Sequence, residues 1–103
     1  MNPNQTLSLS CKLTTPELQQ RKRTVISNLK QLLLEKQELA NGYSYRFAGS
    51  DQMIDLVTDV VKTERLCCEF FHFNIAVSND NALWLSITGP EGVKIFIATE
   101  LEL

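Results

Sequence analysis

The sequence predicts an α+β domain, a two-layer sandwich in which three helices cover one face of a mostly antiparallel four-stranded sheet. Three observations predict it. Apolar and polar residues alternate in four short stretches, as in half-buried strands. Helical spacing of apolar residues marks three further stretches, and the two classes interleave in the order β-α-β-α-β-β-α. The last two strands are joined by a turn so short that they must form an antiparallel hairpin. A chain of 103 residues, 44% of them hydrophobic, is expected to be a single domain, 1–103, that builds one core without disulfide staples.

Leu7, Leu9, Cys11 and Leu13 alternate with Ser8, Ser10 and Lys12, which predicts the first strand and makes Cys11 a small buried hydrophobe. Thr14-Thr15-Pro16-Glu17 carries helix-start chemistry: a capping hydroxyl, a proline for the first turn and an acid at the positive dipole end. Leu18, Val25, Ile26, Leu29, Leu32 and Leu33 follow at helical spacing, and Asn41-Gly42 reads as the stop of a helix from Pro16 to Ala40. Tyr43, Tyr45 and Phe47 form the second strand. Ser50 or Asp51 caps the next helix, whose stripe is Met53, Leu56, Val57, Val60 and Val61. Strands at His72–Ser78 and Ala82–Thr88 flank the turn Asn79-Asp80-Asn81. Gly89-Pro90-Glu91-Gly92 then opens a last helix with Val93, Phe96, Ile97 and Leu101 inward. The uncovered sheet face should carry Ser8, Ser10, Lys12, Ser44, Arg46, His72, Asn74, Ala76, Trp84 and Ser86; its Trp84 reads either as a partner surface or, more simply, as a single exposed aromatic of the commonplace kind.

Charge and patterning exclude several functions. Ten Lys and Arg against twelve Asp and Glu argue against nucleic-acid binding, and the cluster Arg21-Lys22-Arg23 reads as a solvated helix face. No apolar run approaches the roughly 18 residues of a membrane span. The N-terminal residues have neither the basic nor the apolar region of a signal peptide. Three cysteines cannot close a disulfide framework, so the expected location is the cytoplasm, with thiols reduced.

Candidate chemistry gathers in Glu64-Arg65-Leu66-Cys67-Cys68-Glu69-Phe70-Phe71-His72-Phe73, which holds two of the three cysteines and the only histidine. Glu64 lies three residues before Cys67 and four before Cys68, so on a helix the carboxylate shares a face with the thiols. With His72 these groups offer the S, N and O donors of a soft or borderline metal ion. Against this, adjacent cysteines usually diverge, and neighbouring α-carbons about 3.8 Å apart are too close for an unstrained disulfide. The plain alternative is that one cysteine packs in the core and the other sits at a helix end. Phe70, Phe71 and Phe73 read as core side chains.

The same residues, with Leu85-Ser86-Ile87-Thr88-Gly89-Pro90-Glu91-Gly92-Val93-Lys94-Ile95-Phe96, resemble a family of small uncharacterised bacterial proteins. Its pattern is roughly E-R-x-C-C-P-F-x-x-F and then L-x-L-T-G-P-E-G-x-K-x-F. Similar segments are associated with MerR-like regulators of heavy-metal resistance. The resemblance implies soft-metal contacts at Cys67 and Cys68. This chain departs at Glu69, where the pattern has the proline that fixes chain direction.

Three functional readings follow. In the first, a small cytoplasmic accessory protein uses the vicinal cysteine pair, with Glu64 and His72, to hold a soft metal or a thiol-directed ligand. In the second, the chain is an interaction module that pairs as a homodimer through the open sheet face or an edge strand, with neither metal nor catalytic role. The third, an enzyme with a cysteine nucleophile and His72 as base, lacks a third orienting group and an oxyanion device, so no catalytic residue is assigned.

Overall fold

Four strands and three helical segments make up the computed structural model, which describes residues 16–101 and 103, apart from the side chains of Leu18, Cys67 and Glu100. In chain order these are α1 (Pro16–Gln31), β1 (Glu35–Leu39), β2 (Gly42–Ala48), α2 (Asp51–Cys67), β3 (His72–Ser78), β4 (Ala82–Thr88) and α3 (Val93–Phe96). A π-helical turn at Ile97–Leu101 continues α3. The strands form one antiparallel sheet in the order β1-β2-β4-β3, so the architecture is α+β as the sequence predicts. The strand expected at Leu7–Leu13, with Cys11, lies outside the described residues.

One element differs from expectation. The helix predicted to run from Pro16 to Ala40 ends at Gln31, and Glu35–Leu39 forms a strand. Glu35, Lys36, Gln37 and Glu38 are good helix formers, so tertiary pairing overrides local propensity here. The Leu34 N–H donates to the Arg46 carbonyl at 2.8 Å, which starts the pairing with β2. Lys36 then donates to the main-chain oxygen of Leu103 at 2.6 Å and lies 4.3 Å from the centre of the Tyr43 ring. Glu38 accepts from Lys94 at 2.6 Å, and that ion pair holds its carboxyl below the ordinary range. Asn41-Gly42 therefore closes a hairpin instead of ending a helix. Gly42 is required there, because a Cβ would sit 1.9 Å from the Ile87 carbonyl oxygen.

Register sorts the sheet faces, since directly paired residues point the same way. Tyr43, Ile87 and Phe73 form one inner row, Tyr45, Leu85 and Ile75 the next, and Phe47, Leu83 and Val77 the third. Tyr45, Phe47, Leu83, Leu85 and Ile87 are fully buried. Ile26 and Leu29 of α1, Met53, Val57 and Val60 of α2, and Val93 and Phe96 of α3 join them in one core, so all three helices cover this face. Ser50 caps α2 by accepting from the Met53 N–H at 3.2 Å. Phe71 meets both Phe73 and Phe96 edge to face, with centroids 5.7 Å apart in each pair, and Phe70 meets Phe96 at 5.0 Å. The phenylalanines are core, as expected.

The other face carries Arg46 beside Trp84 and Ala76, and Ser44 beside Ser86 and Asn74, with the two serine hydroxyls 3.0 Å apart. Trp84 points outward as predicted and is half-buried there.

Two substitutions test the core. Leu85→Ala should lower stability by about 2–5 kcal/mol in urea unfolding, because a fully buried leucine leaves a cavity. The Tyr45 hydroxyl is buried without a hydrogen-bond partner among the described residues. Tyr45→Phe should therefore raise stability by about 1 kcal/mol in the same assay, since an orphaned buried hydroxyl costs roughly 1–3 kcal/mol.

Candidate functional site

Helical spacing delivers a carboxylate into the core. Val57, Val60 and Glu64 follow one another at three- and four-residue steps along α2, so the stripe that packs on the sheet ends in an acid. Glu64 is 1% exposed. Cys68, directly after the helix, is fully buried, and its N–H closes the last turn on the Glu64 carbonyl at 2.6 Å. That turn brings the Cys68 Sγ to 3.6 Å from Glu64 Oε2, where the thiol donates to the carboxylate. From α1, Lys22 places its Nζ 3.6 Å from the same oxygen, with only 10% of its side chain exposed.

Burial from water pushes the Glu64 carboxyl above its ordinary value of 4.5, against the opposing pull of the Lys22 charge and of hydrogen bonds from Cys68 and Lys22. Glu64 also borders a small cavity between α1 and α2, of about 70 Å³, shared with Val25, Ile26, Val60 and Asp59. That volume suits about two water molecules.

Of the four residues predicted to hold a metal, Glu64 and Cys68 come together. Cys67 is the last residue of α2, one position from Cys68. His72 does not join them. It begins β3, pairs with Thr88 and alternates with the core-facing Phe73, which puts it, exposed, on the opposite sheet face. Among the described residues no group of three or more His, Cys, Asp or Glu side chains is placed to share one ion. Arg65 is exposed.

Sequence reasoning missed Lys22, which belongs to the cluster read as a solvated face. Its signal was its position: four residues after Leu18 and four before Ile26, it lies on the apolar stripe of its helix. A lysine on that stripe needs an acid opposite, and Glu64 is that acid.

Comparison of the chain with protein-family models, with curated proteins and with solved structures finds no match.

The raised carboxyl value sets a pH dependence. A carboxyl whose folded value exceeds its unfolded value contributes stability that is fully present below pH 4.5 and is lost as pH rises through the folded value. Glu64→Gln removes this titration. The stability of the variant relative to the unmodified protein should therefore increase as pH rises above 4.5, as measured by urea unfolding across pH 4–8. A relative stability that falls over that range would mean that Lys22 and Cys68 outweigh the burial.

Proposed function

We propose that this protein is a small cytoplasmic binding domain that holds a soft or borderline metal ion, or a thiol-directed ligand, at the end of α2 through Cys67, Cys68 and Glu64. The observation that carries this reading is the 3.6 Å separation of Cys68 Sγ and Glu64 Oε2 in a buried setting. Two ligands of one tetrahedral zinc ion, with S at about 2.3 Å and O at about 2.0 Å, lie roughly 3.5 Å apart. The pair thus already has the spacing that an ion between them would impose. Cys67, adjacent in sequence, is a thiol of the right softness to be a third ligand. The resemblance to segments associated with heavy-metal regulators supports the same chemistry. His72 is left out, because binding it would require β3 to leave its pairing with β4.

The ion would displace two things, the proton of each bound thiol and the Lys22 ammonium beside Glu64. Binding should therefore release protons and strengthen as pH rises.

Intact-protein mass spectrometry under native conditions, with added zinc, copper(I) or mercury(II), tests the reading. One ion per chain is expected. Cys68→Ser should abolish uptake, and Glu64→Gln should weaken it at least about tenfold, no less than the loss of an outer-shell partner costs. Failure to take up any of the three ions, together with thiols that react only after denaturation, would contradict it.

A further inference from the structure

The two edges of the sheet are built differently. β1, at one edge, reads Glu-Lys-Gln-Glu-Leu, and three of its five residues are charged. That composition is the usual protection against edge-to-edge association. β3, at the other edge, reads His-Phe-Asn-Ile-Ala-Val-Ser. Its seven residues include no Asp, Glu, Lys, Arg or Pro, and all seven pair in register with β4, so no bulge twists the edge away. Among the described residues β3 pairs on one side only. Val77, on its core-facing side, is 52% exposed, although Leu83 and Phe47 of the same row are fully buried. An uncharged, regular edge with an exposed apolar residue is a surface made to receive another strand.

We infer that β3 pairs antiparallel with β3 of a second copy of this chain, about a two-fold axis through Ile75. The occupant follows from the pattern of the strand itself. With the axis at Ile75, the midpoint of His72–Ser78, Ile75 faces its own copy, Phe73 faces Val77, and Asn74 faces Ala76. Apolar residues meet apolar residues on the helix-covered side, and on the other Asn74 meets Ala76 and His72 meets Ser78. The exposed Val77 of each copy gains the Phe73 ring of its partner. No like charges oppose each other, whereas the same operation on β1, about Gln37, would set the charged Glu35 against the apolar Leu39 and would draw on Lys36 and Glu38, which Leu103 and Lys94 already engage. The pairing adds about six to eight main-chain hydrogen bonds and joins the two sheets into one of eight strands. A two-fold contact is self-complementary and closes on itself, so the dimer does not propagate into fibres. The outer face, with Trp84, stays open.

Sedimentation of the full chain tests the inference. The unmodified protein should sediment as a dimer at micromolar concentration. Asn74→Lys with Ala76→Lys alters exposed positions only, so the fold should persist by circular dichroism. Across the axis, however, lysine then opposes lysine twice, and dimer affinity should fall at least about tenfold. Mixing this variant with one carrying Asn74→Glu and Ala76→Glu should restore a dimer containing one chain of each. Amide hydrogens of β3 should exchange more slowly in the dimer than in the lysine variant. A monomeric unmodified protein overturns the inference. So does a dimer that survives the lysines unchanged, which would place the contact on the open sheet face or elsewhere.

Discussion

Burying a carboxylate costs free energy that only a cation, a hydrogen bond or a proton can offset. At Glu64 the fold supplies all three. The Lys22 ammonium arrives from α1, the Cys68 thiol arrives from the end of the helix that bears the acid, and the raised carboxyl value keeps a proton closer at hand than on an exposed glutamate. Each partner also holds a structural element. The ion pair ties α1 to α2, and the thiol contact fixes how the chain leaves α2 on its way to β3. A change at Glu64 is therefore felt at both ends of the seam.

The sheet makes this arrangement possible. Its two central strands, β2 and β4, present five fully buried side chains to the helices, and α2 lies on them through Met53, Val57 and Val60. Once that stripe is seated, helical geometry leaves no choice about where Glu64 points. Two turns beyond Val57 it must face the seam with α1. The phenylalanine cluster of Phe70, Phe71, Phe73 and Phe96 then clamps the segment after Cys68 against α3. A chain turn that carries two cysteines is thereby held between two well-packed bodies. The ion site proposed there has few donors and would need that kind of support.

Much of this was legible in the amino-acid pattern. The alternation in His72–Ser78 and Ala82–Thr88 marked the hairpin, and the stripe from Met53 to Val61 marked α2 down to its serine cap. The spacing of Glu64 and Cys68 anticipated their contact. The region from Leu32 to Leu39 was not legible. Its residues favour a helix locally, and only their pairing with β2, a non-local event, makes them a strand. Asn41-Gly42 was ambiguous for a related reason, since the same dipeptide stops helices and turns hairpins. The alternation put His72 on the uncovered face, where it lies, and its closeness in sequence to the cysteines does not bring it to them. Lys22 was hidden by its two charged neighbours, although its place on the apolar stripe of α1 set it apart.

The seam between α1 and α2 depends on the state of one carboxyl group. The most direct test of this is the titration of the Glu64 side-chain carbon by NMR in the folded protein. Burial dominates if the midpoint lies above 4.5, the ordinary value, and if it rises further when Lys22→Met removes the opposing charge. A midpoint at or below 4.5, or one indifferent to Lys22, would contradict the picture of a desolvated acid held between an ammonium and a thiol.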